Sequence, residues 1–358
     1  MSKKTGLSAF SGPRWSVRSR SPDARPMYAS RASEMGNRSG DLDMVLRVCP
    51  FASINERANG EQSGTSAWHD RGVAHFETFS LPVEVHAKMA QLVAIIVDLG
   101  PVVTAFSGGA DSAFVAAVAH EVLGAQQAHA VTAVSPSLAG DEEADCRQLA
   151  TEWNLRWTPV NTAEMERAAY RANDIDRCYH CKAELMDVVG PIADREGATV
   201  ILGVNVDDLA DHRPGQRAAL ERGAVFPLVQ AGFTKDDVRL VSQAMGLRTW
   251  DKPAAACLAS RVPYGTPVSV EILSRVDRAE AALHGLGFRQ VRVRHYGETA
   301  RIEVIESELE NALSQRTFII EAVKAAGYQY VTLDLEGFRS GNLNIGVTES
   351  SSGASSHS

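Results

Sequence analysis

Apolar and polar positions alternate along the chain in a way that predicts strands and helices in turn. Short apolar runs at 102–106 (VVTAF), 128–134 (AHAVTAV) and 199–202 (TVIL) have the length of buried strands. Longer segments with helical spacing, such as 113–123 and 141–153, lie between them. Strands that alternate with helices favour a parallel sheet covered on both faces, so we predict an α/β fold.

The alternation continues to about residue 250. Residues 157–160 predict a short strand, and 182–196 and 235–245 predict helices. Gly190 and Pro191 are expected to kink or break the first of these helices, because proline cannot donate the helical hydrogen bond. Ligands of such sheets bind beyond the carboxyl ends of the strands, where we expect the site.

The pattern changes after residue 250. Helices are predicted over 270–286 and 309–326, and alternating strands over 290–295, 300–305 and 328–333. This order predicts a small α+β domain whose strands are covered on one face.

Composition narrows the function classes. The chain is 44% hydrophobic and 22% charged, which is typical of a soluble globular protein. Its net charge of −8 argues against a broad nucleic-acid-binding face, and no apolar run approaches the roughly 20 residues that span a bilayer. Five cysteines in 358 residues, without a signal peptide, are expected to be reduced in the cytoplasm. We therefore expect neither nucleic-acid nor membrane partners.

The most informative stretch is 107–112 (SGGADS), which we call the glycine turn. It joins a predicted strand to a predicted helix, a geometry in which backbone N–H groups face a bound phosphate. The candidate phosphate-binding residues are Ser107, Gly108, Gly109 and Ser112. Asp111 is the candidate ligand of the magnesium ion that accompanies a triphosphate.

The glycine turn lacks the Walker pattern G-x-x-x-x-G-K-[ST] and resembles the PP-loop, S-G-G-x-D-S, of the ATP pyrophosphatases. That resemblance implies cleavage of ATP between the α- and β-phosphates and transfer of AMP to a substrate oxygen. We predict a disordered extension over 1–80, a PP-loop ATP-binding domain over 81–250, an α+β sulfur-transfer or substrate domain over 251–345, and a disordered tail over 346–358.

Three cysteines stand in suggestive places. Cys178 and Cys181 form a C-x-x-C, which serves zinc, iron–sulfur and redox sites alike, and Cys257 lies in the sequence CLASR. Three thiolates are one short of the four that zinc or a cubane cluster commonly takes. Spacing alone leaves the kind of site open.

Several segments resemble the LarE family of ATP-dependent sulfur transferases, which help to build the nickel-pincer nucleotide of lactate racemase. They are 203–208 (GVNVDD), 212–215 (HRPG), 250–253 (WDKP), 257–265 (CLASRVPYG) and 334–341 (DLEGFRSG). The resemblance covers roughly residues 80–345 and implies a pyridinium mononucleotide substrate with two carboxylates. It also implies a homo-oligomer. Adenylation would turn a carboxylate oxygen into a good leaving group, which a sulfur nucleophile then displaces.

The resemblance implies two ways of supplying sulfur. In some members the cysteine of CLASR is the donor and becomes dehydroalanine, which would make Cys257 sacrificial. Other members also carry the C-x-x-C, and their three cysteines resemble ligands of a [4Fe–4S] cluster. This chain has Cys178, Cys181 and Cys257, so we favour a cluster that carries the sulfur.

Further polar residues are candidate cofactor- or substrate-binding groups. On the predicted strand 290–295, Arg292 and Arg294 point from one face and suit a bidentate grip on the substrate phosphate, or else form a solvated face. Glu303 is expected either to hold a magnesium ion or to orient an arginine. Arg261 is placed in sequence to favour a thiolate at Cys257.

Polar residues near the end of the strand 199–202 are candidates for the ATP site. They are Asn205, Asp207 and Arg213. For Asp207 the alternative is a helix cap, and for Arg213 it is an ion pair with Asp211.

Other functions stay open at this point. A second PP-loop activity, such as tRNA thiolation or amidation, is one alternative, although the acidic chain disfavours an RNA surface. A protein that binds ATP without turnover, as a nucleotide sensor or sulfur carrier, is the alternative outside the enzymes.

Overall fold

The computed structural model describes residue 76 and the ranges 79–209, 214–253 and 256–339. The predicted extension before residue 80, except Phe76, Phe79 and Ser80, and the predicted tail lie outside the described residues. Arg213 and Asp211 lie outside them as well.

A four-stranded parallel sheet forms the first part of the fold, as predicted. Its strands are β1 Val102–Ala105, β2 Ala128–Val134, β3 Arg156–Asn161 and β4 Thr199–Ile201. The spatial order is β3-β2-β1-β4, and Val102 pairs with Ala128 on one side and Thr199 on the other. The carboxyl end of β1 therefore lies between β2 and β4 and leads directly into the glycine turn.

Helices surround this sheet. They are α1 Val83–Leu99, α2 Ala110–Leu123, α3 Gly140–Glu152, α4 Ala168–Ala172, α5 Arg177–Glu196, α6 Pro214–Leu220, α7 Pro227–Gln230 and α8 Lys235–Ala244. Val102 packs in one apolar cluster with residues of α1, α2 and α8, whereas its neighbour Val103 packs in another with residues of α5. Successive strand residues thus bury on opposite faces, and the sheet is covered on both sides.

Helix α5 continues through Gly190 and Pro191, so the predicted break is wrong. Val189 and Ala193, on either side of the proline, are both buried against the sheet, and Pro191 itself is exposed. Packing on both sides of the proline offsets the loss of one hydrogen bond.

The second part is a small mixed α/β unit. Its elements are α9 Val270–Gly285, β5 Val291–Tyr296, β6 Thr299–Val304, α10 Leu309–Ser314, α11 Arg316–Ala325 and β7 Tyr330–Leu333. β5 and β6 are antiparallel and β6 and β7 are parallel. The single helix predicted over 309–326 is two helices, because Gln315 has the non-helical dihedrals φ −93° and ψ 10°.

β5 is buried on both faces rather than one, which corrects the expectation for this strand. Arg292 and Arg294 are only 8% and 6% exposed, so the alternative of a solvated strand face is wrong for both. Short 3₁₀ turns complete the described fold, at Glu164–Glu166, Val206–Leu209, Leu258–Arg261 and Glu306–Glu308.

Within the described ranges, every helix is too short or too polar to cross a membrane.

Candidate active site

The glycine turn is held in shape by its own serine. Ser112 Oγ accepts a hydrogen bond from the backbone N–H of Ser107 (3.2 Å), donates one to the carbonyl of Gly109 (3.1 Å) and lies 3.0 Å from Ser107 Oγ. Ser112 is buried, whereas Ser107 is exposed. The serine inside the first turn of α2 therefore organises the turn, and Ser107 is the hydroxyl that faces solvent.

Two glycines permit close packing around the turn. Gly108 has φ +70°, and a Cβ there would lie 2.9 Å from Cys146 Sγ. A Cβ on Gly203, just after β4, would lie 2.6 Å from the backbone of Asp111 and Ser112. The end of β4 thus touches the start of α2 directly, and only glycine allows that approach.

Asp111 lies at the centre of a polar group beyond β1 and β4. Its carboxylate accepts from Lys235 Nζ (2.6 Å) and from Asn205 Nδ2 (3.2 Å). Asp207 accepts from the backbone N–H of Lys235 (2.7 Å), at the beginning of α8. The structure therefore brings Asn205, Asp111 and Asp207 together, and the contact of Asp207 is with a helix start.

Lys252 lies against the other side of the glycine turn. Its Nζ donates to the carbonyl of Gly108 (3.2 Å) and to the carboxylates of Glu142 and Asp145 on α3 (2.7 Å each). Burial acts to lower the pKa of Lys252, but the bonds to Asp145 and Glu142 outweigh it and raise that pKa. Lys252 is therefore a cation in the region where phosphates are expected.

Lys235 and Lys252 were both missed as site residues by the sequence reasoning. Lys235 follows Thr234, which caps α8, so it looked like an ordinary helix start. Lys252 belongs to the WDKP segment, and that was the available signal. Placing it on the turn requires the tertiary fold.

The C-x-x-C lies at the start of α5. Cys178 is exposed and Cys181 is partly buried on the same helix face, one turn later. Cys257 begins the 3₁₀ turn that is tied to the loop after β2 by a hydrogen bond from Leu258 N–H to the carbonyl of Ser137 (2.9 Å).

Cys181 and Cys257 pack against the same apolar cluster, which includes Tyr170. Burial, followed by the neighbouring Cys257 thiol, raises the pKa of Cys181 to about 12. Burial and the thiols of Cys257 and Cys181 also raise the pKa of Tyr170. Across the described part of the chain, no three His, Cys, Asp or Glu side chains form a ready group for a metal ion. The thiols share one neighbourhood without a preformed ligand set.

Arg177, and not only Arg261, lies close to the cysteines. Arg177 is 4% exposed, and within the described part of the chain its guanidinium bonds to Asn173 Oδ1 and to the carbonyl of Ala259. Burial acts to lower its pKa, but Cys257 and Cys178 outweigh it and raise the pKa of Arg177. Arg261 contacts the carbonyl of Cys257 (3.0 Å) while its charge is matched by a bidentate pair with Glu280.

Three buried arginines meet between the 3₁₀ turn at 258–261 and β5. Arg294 donates to Glu303 (2.7 Å) and to the carbonyl of Ser260 (2.9 Å), and its Nε has no acceptor among the described residues. Burial, together with nearby Arg261, lowers the pKa of Arg292 to about 10. This region is rich in positive charge, which is suited to an anion.

Glu303 orients arginines. Its two carboxylate oxygens accept from Arg294 (2.7 Å) and Arg301 (3.0 Å), and the residue is fully buried. This contact agrees with the second of the two roles expected for Glu303, while a magnesium role stays a prediction.

Comparison with known proteins gives three relatives. The chain is 44% identical over 268 residues to an uncharacterised protein of Synechocystis, across 74% of this chain and all of the relative. It is 36% identical to the pyridinium-3,5-bisthiocarboxylic acid mononucleotide synthase of Lactiplantibacillus plantarum, across 73% of this chain and 95% of that protein. An uncharacterised protein of Methanocaldococcus jannaschii is 26% identical, across 67% of this chain and 91% of its own length.

A family profile described as NAD synthase matches residues 91–184. The matched region runs from α1 through the glycine turn to the C-x-x-C, so it covers the part of the chain expected to bind ATP.

Proposed function

Because this chain belongs to the LarE family of PP-loop sulfur transferases, we propose that it converts a carboxylate of a pyridinium dicarboxylate mononucleotide into a thiocarboxylate. It is an ATP-using enzyme. One observation carries the proposal for this chain: the segment that places Lys252 on the glycine turn also carries Cys257, five residues later. The groups for carboxylate activation and for sulfur transfer are thus linked in one stretch of backbone.

The first step is adenylation. A carboxylate oxygen attacks the α-phosphorus of ATP, the bond to the β-phosphate oxygen breaks, and pyrophosphate leaves. Ser107 and the backbone of Gly108 and Gly109 bind the phosphates, and Lys235 and Lys252 offset their negative charge. We assign magnesium to Asp111, and further ATP contacts to the following residues: Asn205, Asp207, Ser112 and Arg213.

The second step forms a carbon–sulfur bond as AMP leaves. We propose that Cys178, Cys181 and Cys257 hold a [4Fe–4S] cluster, since soft thiolates are the donors that such clusters take and these three share one neighbourhood. When bound, the cluster would carry a sulfide for transfer. The alternative is that the thiol of Cys257 attacks and its own Cβ–S bond then breaks to leave dehydroalanine.

The substrate phosphate is assigned to the buried arginine group. Arg292 and Arg294 supply positive charge and, at Arg294 Nε, a donor that lacks an acceptor among the described residues. Arg261, the third arginine of this group, donates to the carbonyl of Cys257, which would place the nucleotide beside the sulfur. A magnesium ion at Glu303, a homo-oligomeric assembly and a cytoplasmic location remain parts of the proposal.

The test is a pyrophosphate assay on anaerobically purified protein with ATP, a sulfur source and the pyridinium dicarboxylate mononucleotide. We expect release that depends on that nucleotide, together with a thiocarboxylate product detected by mass spectrometry. Release with tRNA and not with the nucleotide would overturn the proposal, and ATP binding without turnover would favour a sensor or carrier. Iron and labile sulfide analysis separates the cluster from the sacrificial route, which instead leaves dehydroalanine at Cys257.

A further inference from the structure

Asn173 joins the two chain segments that carry the cysteines. It ends α4 in the left-handed region, with φ +59°, and is fully buried. Its side-chain amide donates to the carbonyls of Val262 (3.3 Å), Pro263 (2.8 Å) and Thr266 (2.9 Å). Its own carbonyl accepts from Gly265 N–H (3.1 Å). This single residue, which lies between α4 and α5, thus binds the loop after Cys257 through four hydrogen bonds.

Arg177 extends this contact toward the cysteine. Its guanidinium donates to Asn173 Oδ1 and to the carbonyl of Ala259 (2.8 Å), two residues after Cys257, and lies over the ring of Tyr264 at 5.6 Å. Asn173 and Arg177 are four residues apart, at the end of α4 and the beginning of α5, and are hydrogen-bonded to each other. Their donors therefore bind both ends of the Cys257 segment (residues 256–268).

These contacts are costly to lose and specific in geometry. The bonds to the carbonyls of Ala259 and Val262 are buried, and those to Pro263 and Thr266 are partly buried. An unsatisfied polar group in a buried environment costs about 1–3 kcal/mol. No other side chain in the described ranges donates to these four carbonyls. The Cys257 segment has little regular structure of its own. Backbone bonds from Leu258 and Val268 hold it at either end, and the amide of Asn173 and the guanidinium of Arg177 hold the loop between them.

We propose that Asn173 and Arg177 are positioning residues for sulfur transfer, forming a clamp that fixes Cys257 beside Cys178 and Cys181. The clamp is built from α5 itself and the residues before it. The helix that carries the C-x-x-C therefore also holds the segment that carries Cys257. This inference rests on the proposed function only in giving the position of Cys257 a role in sulfur transfer. The placement itself is tested without turnover.

The test uses a matched pair of variants. Asn154 and Asn173 are the non-glycine residues with positive φ in the described ranges, at +52° and +59°. Glycine tolerates that backbone at both positions, so Asn173→Gly removes the clamp's amide without straining the chain, and Asn154→Gly controls for the glycine. The probe is dibromobimane, which bridges neighbouring thiols, with the bridge between exposed Cys178 and partly buried Cys257 measured by peptide mass spectrometry.

We expect the wild type and Asn154→Gly to give the bridge and Asn173→Gly to lose it about fivefold or more. An unchanged bridge in Asn173→Gly, or no bridge in the wild type, would overturn the inference. If Asn173→Gly unfolds, the amount of bridge is compared instead between Arg177→Met and Arg177→Lys, after thermal melting has shown that the two variants have equal melting temperatures. The lysine retains a donor for Ala259, so it should recover part of the bridge.

Turnover supplies an independent measurement. A misplaced Cys257 should raise the pyrophosphate released per thiocarboxylate formed several-fold, with the KM for ATP unchanged. A purely structural defect would lower both products in parallel, and that result would count against the clamp. If the wild type makes no thiocarboxylate at all, the proposed function fails while the bridging result stands.

Discussion

Lys252 Nζ lies 3.2 Å from the carbonyl oxygen of Gly108, although 144 residues separate the two along the chain. The same ammonium group is 2.7 Å from carboxylate oxygens of both Glu142 and Asp145. The contact joins three separate stretches of chain at the glycine turn through one partly buried ammonium group.

Replacing Lys252 with methionine should raise the KM for ATP about tenfold or more, because the turn loses a cation and Glu142 loses its ion-pair partner. The free energy of unfolding should fall by about 1–3 kcal/mol. Pyrophosphate release measured against ATP concentration checks the first effect, and thermal melting checks the second. Arg248→Met is the control, since Arg248 pairs with Asp145 and Glu152 but does not contact the turn.

Gly203→Ala should abolish ATP-dependent pyrophosphate release. The new Cβ would lie 2.6 Å from the backbone of Asp111 and Ser112, so the start of α2 must move. Gly190→Ala, in α5, meets nothing within 4 Å and should be neutral or slightly stabilising, because alanine favours a helix. Equal activity in the two variants would show that the turn tolerates displacement.

Local pattern was sufficient for much of the fold. The strand predicted at 128–134 has those bounds in the structure, and the glycine turn follows a strand and opens a helix as expected. The break expected at Pro191 failed because buried residues on both sides hold α5 together, a tertiary effect. Gln315, where the helix over 309–326 divides, carries no sequence signal of the kind that glycine or proline gives.

The candidate site was predicted less completely. Its local pieces, the turn and the cysteines, were found, whereas cations that reach them from afar were not. Lys252, Lys235 and Arg177 became visible only once the fold had placed them. Sequence distance favoured Arg261 as the partner of Cys257, yet the guanidinium of Arg261 forms its ion pair with Glu280, 19 residues away.

Arg294→Met should raise the KM for the pyridinium nucleotide at least tenfold and leave the KM for ATP nearly unchanged, because a buried phosphate contact would be lost. The two Michaelis constants are measured in one assay by varying each substrate in turn. Arg289→Met is the control: Arg289 precedes β5, is 77% exposed at its side chain and pairs only loosely with Asp251 (3.7 Å). A parallel rise in both constants would point instead to a general loss of structure.

Stability should decline as pH falls below about 6.5. Burial, followed by nearby Arg156, lowers the pKa of His129, so the unfolded chain takes up a proton near pH 6.5 while the folded chain does not. His129→Gln cannot titrate and should give a shallower decline between about pH 6.5 and 5, measured by urea unfolding. The lowered pKa of Asp145 acts in a separate window below its ordinary value of 3.8, so the two effects are separable.

Cys146 should resist alkylation in the folded protein. Burial raises the pKa of this thiol to about 11, and its sulfur lies beneath Gly108. Peptide-mapped labelling with iodoacetamide should modify exposed Cys178 at least tenfold faster, and denaturation should remove the difference. Comparable rates before denaturation would mean that the glycine turn opens readily.

Helix α5 runs from the cysteines to the end of the parallel sheet at which β2 and β3 begin. Its 20 residues span about 30 Å; its first turns carry Cys178 and Cys181, and its last residue, Glu196, bonds to His129 and Arg156 near the beginnings of β2 and β3. Both ends of the helix are therefore held by contacts with other parts of the fold. A substitution at Glu196 or Arg156 would remove contacts at the end of the helix and shift the thiols at its start without touching them.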